Sequence, residues 1–165
     1  MTPPNNTTLS YSIFSWNIRG MRTARRHYTI YSSLKRHTAH IALLQESHFT
    51  AEEALHLQRR WSGQAFSIAC SAFARGALIW LRAGIPFQLR DKIIDLGGRY
   101  VRLQCRLDGS PLVIGSTYAP NTDLASFLTD LSHCLACWAH LPWILVGDFN
   151  CMLNPSLDHS FPPLP

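Results

Sequence analysis

No lysine or arginine follows Arg106. All 15 basic residues lie at or before it, with five of the 10 acids; the other five, all aspartates, lie beyond it. The net charge of +5 is therefore a basic stretch followed by an acidic one. A basic portion favours a polyanionic partner such as nucleic acid, although charge alone is also compatible with ordinary solubility. Long apolar runs are missing too. None approaches the roughly 20 residues that span a bilayer, so no membrane partner is expected. The opening "MTPPNNTTLSYS" lacks the basic and apolar segments of a secretion signal. The sequons at Asn5 and Asn6 are thus read as part of a flexible lead-in over residues 1–10. The five cysteines (Cys70, Cys105, Cys134, Cys137, Cys151) are an odd number without such a signal, which points to reduced thiols inside a cell. A hydrophobic fraction of 47% in 165 residues fits one globular domain or part of one.

Short apolar runs predict strands at Tyr11–Trp16, at "IALLQ" (Ile41–Gln45) and at "WILVGDFN". Between the first two, Ile30, Leu34 and Tyr31 share a face of a basic amphipathic helix. Thr50 with Glu53 three residues on reads as a capping box for a second helix. "AFSIAC", "ALIWLR", "FQLRDKIIDL", "RYVRLQCRL" and "PLVIGSTY" read as an antiparallel meander, with Gly97-Gly98 and Asp108-Gly109 suited to two-residue hairpin turns. Apolar residues from Leu124 to Trp138 recur at helical spacing, predicting a helix over 124–141. Prolines at 155, 162, 163 and 165 predict an irregular tail over 154–165, leaving 11–153 as the folded unit.

Four predicted strands end in polar groups: "FSWN", "LLQE", "STYAPN" and "VGDFN". Asn17, Glu46, Tyr118, Asp148 and Asn150 would then converge on one rim of a sheet. Glu46 and Asp148 are hard oxygen ligands suited to Mg²⁺, which needs only one or two carboxylates. The amides of Asn17 and Asn150 can serve phosphate oxygens or a metal shell, and the Tyr118 hydroxyl can orient phosphate or water. Singly these signals are weak: a lone Asp after a strand usually caps a loop.

In order along the chain, "SWNIRG", "LLQESH", "ARGALIWL", "STYAPN" and "GDFN" resemble the successive motifs of the endonuclease/exonuclease/phosphatase superfamily. The resemblance is greatest to the apurinic-endonuclease-like, exonuclease III-like nuclease domain of LINE-type non-LTR retrotransposons, over about residues 11 to 160. It implies a four-layered α/β sandwich and Mg²⁺-dependent (or Mn²⁺-dependent) hydrolysis of DNA phosphodiesters. It implies metal binding at Asn17, Glu46, Asp148 and Asn150, with Tyr118, Asp148 and Asn150 as catalytic groups. Arg19, Arg22 and Arg75 are candidate DNA-backbone contacts, Arg25 and Arg26 extend the same basic run, and Gly76 suits a tight turn beside the site. The partner implied is DNA, with no obligate protein partner, and the location implied is intracellular and nuclear.

Such enzymes continue past "GDFN" to a Ser-Asp-His motif, which these 165 residues do not contain. The expectation is a C-terminally truncated domain with most of its second half missing and impaired hydrolysis. The alternative is a catalytically dead remnant that binds nucleic acid. Asp158-His159 is read as unrelated to the missing motif. "HCLACWAH" is read as part of a helix face rather than a zinc site, because no second cysteine pair exists.

Overall fold

The apolar runs become strands buried on one or both faces, and the two longest amphipathic patterns become the helices that cover them. The computed structural model describes residues 10–21, 23–48, 63–67 and 76–151. In chain order these hold β1 (Ile13–Asn17), α1 (Ala24–Arg36), β2 (Ile41–Gln45), β3 (Gly63–Ser67), β4 (Leu78–Arg82), β5 (Phe87–Ile94), β6 (Tyr100–Leu107), β7 (Ser110–Tyr118), α2 (Leu124–Ala136) and β8 (Trp143–Asp148). One sheet has the order β1-β2-β4-β3 and the other β5-β6-β7-β8.

The two sheets face each other through Ile41 and Leu43 of β2, Ile79 and Leu81 of β4, Val101, Leu103 and Cys105 of β6, and Ile114 of β7, all buried. Burying each such aliphatic side chain stabilises the fold by about 1.5–3 kcal/mol. On the outer face of the first sheet, Ile30 and Leu34 of α1 pack on Ala42, Leu44, Leu78 and Trp80. On the outer face of the second, Phe127 and Leu131 of α2 pack with Tyr100. The layers are therefore helix, sheet, sheet, helix, as expected. β2 and the first four residues of β4 are buried on both faces, which explains why these strands read as unbroken apolar runs.

The Thr23 hydroxyl caps α1 by accepting from Arg26 N at 3.2 Å. Its end is closed by Ala39 N donating to Leu34 O, with Thr38 in the left-handed region. Because α1 joins β1 to β2 and α2 joins β7 to β8, both pairs are parallel. Each sheet thus brings two strand C-termini to one end.

Several local readings are corrected. β1 starts at Ile13, and Tyr11 instead sets its ring edge-on to His40. The meander is divided: β3 and β4 belong to the first sheet, and the chain crosses at Ala83–Pro86, where Gly84 is left-handed, to begin the second. Asp108-Gly109 forms the expected two-residue turn, both residues having positive φ (50° and 78°). Gly97-Gly98 does not; only Gly98 is left-handed, in a four-residue loop closed by Asp95 N donating to Tyr100 O. Here Asp95 wins, because its carboxylate takes three bonds from Arg99. α2 stops at Ala136, and Trp138 is buried from the turn beyond it. The helix expected after Thr50, residues 1–9 of the lead-in expected over 1–10, and the whole of the tail expected over 154–165 lie outside the described residues.

Candidate active site

The rim where the strands end is shared by both sheets, not built on one. Asn17 closes β1 beside Gln45, and Tyr118 of β7 lies opposite Asp148 of β8. The centre of the rim is the Asn17 side-chain amide. Its Nδ2 donates to Glu46 Oε1 at 2.9 Å and to Asp148 Oδ2 at 2.8 Å. Asn17 Oδ1 accepts from Arg19 N at 3.1 Å, which fixes which end of the amide faces the acids. Asp148 is held at both oxygens, since Oδ1 accepts from Asn150 N at 3.0 Å. Asn150 Nδ2 donates to Ala119 O at 2.6 Å, locking that side chain over the end of β7. Tyr118 ends β7 beside these groups, close enough to the Glu46 carboxylate for its charge to act on the phenol. Burial, and then the Glu46 carboxylate beside it, push the phenol above its ordinary pKa, so it stays a donor at neutral pH.

Backbone strain marks the same place. Arg19, Glu46, His48 and Asn150 all have φ between 46° and 55°. Each left-handed non-glycine residue costs on the order of 1 kcal/mol or more, and such residues collect where structure over-determines them. The over-determination is visible in the loops. Ile18 N donates to Gln45 O, Gly20 N to Glu46 O at 2.7 Å, Ser47 N to Gly76 O, and Ala119 N to Asp148 O. Gly76 sits beside Glu46 as expected, at φ +128°, and a Cβ there would collide with the Ser47 hydroxyl.

The donor set fits a hard divalent cation. Two carboxylates are gathered from distant segments, and Mg²⁺ asks for one or two carboxylates with water completing its shell. Asn17, expected as a ligand, instead turns its N–H end to both acids while its oxygen accepts from Arg19 N. Among the described residues no group of three or more His, Cys, Asp or Glu is placed to hold a metal, so the rim offers two carboxylates and leaves the rest of a cation's shell to water. In "HCLACWAH", Cys134 lies 3.5 Å from the Tyr100 hydroxyl and Cys137 is exposed.

Of the candidate DNA contacts, Arg19 is exposed at the rim, whereas Arg22 and Arg75 lie outside the described residues. Arg26 is not free for phosphate; its guanidinium donates to the carbonyls of Ile18 and Gly20 and braces the loop after Asn17. Sequence reasoning missed this brace, and it missed Gly147, where a Cβ would overlap the Thr117 backbone oxygen. A glycine inside an apolar strand was the available signal for such close approach.

Residues 14–164 match the Endonuclease/Exonuclease/phosphatase family, and the chain belongs to that family. Among solved structures it is similar to D. rerio TDP2 complexed with a single-strand DNA product, at 22% identity and a TM-score of 0.66, over 86% of this chain and 61% of that one. It is similar to an AP endonuclease from Archaeoglobus fulgidus, at 18% and 0.66, over 92% and 62%. The endonuclease domain of TRAS1, a telomere-specific non-LTR retrotransposon, matches at 15% and 0.63, over 87% and 60%. These are likenesses of fold, and the chain spans about three fifths of the length of each.

Proposed function

We propose that the rim is the site of a Mg²⁺-dependent phosphodiesterase acting on DNA, of the apurinic/apyrimidinic endonuclease or exonuclease III-like kind and of retroelement origin. The observation that carries this reading is the single Asn17 amide holding Glu46 and Asp148 together across the two sheets. Glu46 and Asp148 would hold the cation, with Asn150 at its edge and the Asn17 amide keeping the two carboxylates in place. When bound it supplies Lewis-acid polarisation of the phosphoryl oxygen. Asp148, fixed at both oxygens, orients the attacking water and accepts its proton. The second amide hydrogen of Asn150 and the protonated Tyr118 hydroxyl donate to the phosphate oxygens as charge builds there. Arg19, exposed beside Asn17, meets the DNA backbone. The single-strand DNA product bound in the similar D. rerio TDP2 structure supports DNA as the substrate class.

The test is nicking of supercoiled plasmid by the purified chain with Mg²⁺, beside Asp148→Ala and an EDTA control. Nicking by the wild type alone supports the reading. The basic stretch up to Arg106 is also compatible with a second reading, in which the chain binds nucleic acid without cutting it. Folded chain that shifts DNA in a gel and leaves the plasmid intact supports that one.

A further inference from the structure

On the outer face of the second sheet, beneath α2, Arg102 of β6 is 0% exposed. Its Nε, Nη1 and Nη2 make no hydrogen bond, and no carboxylate pairs with it among the described residues. Guanidinium groups stay protonated in proteins, so a buried one cannot shed its charge as a lysine or carboxyl can. Leaving such a charge unpaired in an apolar layer is among the costliest arrangements in a fold. The surroundings offset little of that cost. The Tyr100 ring lies 4.0 Å from the guanidinium carbon, a favourable but partial compensation. Tyr100 cannot act as a counter-anion, since burial and its Cys134 contact push it up to about 12. Asp95, nearby in sequence, is already engaged at both oxygens by Arg99.

A second orphan shares this face. Thr117 is the cross-strand partner of Tyr100, and Gly115 is that of Arg102. Thr117 and Arg102 therefore project from the same side of adjacent strands. Thr117 is fully buried and its hydroxyl makes no hydrogen bond. A Cβ at Gly115 would lie 2.6 Å from Leu145 Cδ1 and 3.6 Å from Arg102 Cγ, so the bare glycine lets Leu145 and the Arg102 stem pack together over β7.

We propose that Arg102 and Thr117 form a buried site for a small oxyanion such as inorganic phosphate or sulfate. A guanidinium edge offers paired donors at the spacing of an oxyanion's oxygens, and the hydroxyl adds one more. The bound anion neutralises the layer and couples α2 to β7, the strand that ends in Tyr118. The site is separate from the rim, and the proposal does not depend on the nuclease reading.

The test is the thermal midpoint of the full 165-residue chain against inorganic phosphate, and separately sulfate, at constant ionic strength. Site binding raises the midpoint with the logarithm of anion concentration, whereas salting-out acts roughly linearly. Arg102→Met should start higher than wild type without anion and lose the logarithmic response. Arg90→Met, on exposed β5, should keep it. Thr117→Val should shift the response to about tenfold higher anion, given the loss of one hydrogen bond to a charged group. Thr117→Val also serves should Arg102→Met fail to fold. A wild type without a logarithmic response overturns the proposal, and so does an unchanged response in Arg102→Met or, where that variant does not fold, in Thr117→Val.

Discussion

Gln45 Nε2 donates to Ser116 Oγ at 3.1 Å, and Ser116 Oγ donates to Leu44 O at 3.2 Å, so a fully buried polar strut links the two sheets. One end adjoins Glu46 and the other lies two residues before Tyr118. The apolar contacts around it are non-directional and hold the sheets together without fixing their register. Gln45 and Ser116 are therefore expected to act as positioning residues for the rim. Ser116→Ala leaves Gln45 with the Leu43 carbonyl alone, at a cost of about 1–2 kcal/mol. The midpoint should fall by roughly 2–8 °C in a domain of this size. Calorimetric Mg²⁺ affinity should fall about tenfold, or ~1.4 kcal/mol, with partial recovery in Ser116→Thr. A lowered midpoint with unchanged Mg²⁺ affinity would mean that the strut serves stability alone.

Glu46 and Asp148 share one amide donor, so without a cation their like charges oppose each other. Glu46→Gln keeps the acceptor oxygen for Asn17 and removes one charge. Its midpoint in EDTA should rise by about 1–4 °C, the direction expected where function has been favoured over stability. Mg²⁺ should stabilise the wild type and leave Glu46→Gln unmoved. Scanning calorimetry with and without Mg²⁺ reads both effects, and an undiminished Mg²⁺ response in Glu46→Gln would place the cation elsewhere.

The parts of this structure legible in the sequence are those set by short-range pattern. β2 read correctly to the residue because a strand covered on both faces is apolar throughout, and α1 read correctly because Ile30 and Leu34 fall on one face. Asp108-Gly109 demanded two left-handed residues and received them. What was hidden depended on partners distant in the chain. Nothing local says that β4 and β5 lie in different sheets, or that Arg26 turns inward to the Ile18 and Gly20 carbonyls. The candidate site was legible as residue types at strand ends; the Asn17 bridge, which spans 131 positions to Asp148, was not.

Gly147 and Gly109 predict unequal sensitivities. A Cβ on Gly147 would overlap the Thr117 oxygen and come within 2.7 Å of its carbonyl carbon, between paired strands that cannot separate without moving Asp148. Gly147→Ala should cost about 1–3 kcal/mol or more, as overpacking does, and it should lower DNA nicking beyond its effect on folding. Gly109 meets nothing within 4 Å, so Gly109→Ala carries only the strain of φ +78°, roughly 1–2 kcal/mol. Urea unfolding of both variants checks the order. Equal activity per folded molecule in the two would show that β8 tolerates the shift.

Alkaline pH should loosen the second sheet through Tyr100. Burial, and then the Cys134 contact, push this phenol from its ordinary 10 up to about 12. Its folded-state pKa exceeds the unfolded one, so the unfolded chain releases the proton first. Unfolding is then increasingly favoured as pH rises between the two values. The stability tied to Tyr100 is fully present below pH 10 and is lost progressively from about 10 to 12. Tyr100→Phe removes the titrating group while keeping the ring under Arg102. Its midpoint should fall less steeply than wild type over that interval and run parallel to it below pH 9. Tyrosinate absorbance, followed alongside the midpoint, should show a smaller late-titrating fraction in Tyr100→Phe than in the wild type. Parallel curves for the two proteins up to pH 12 would assign the alkaline transition to other groups.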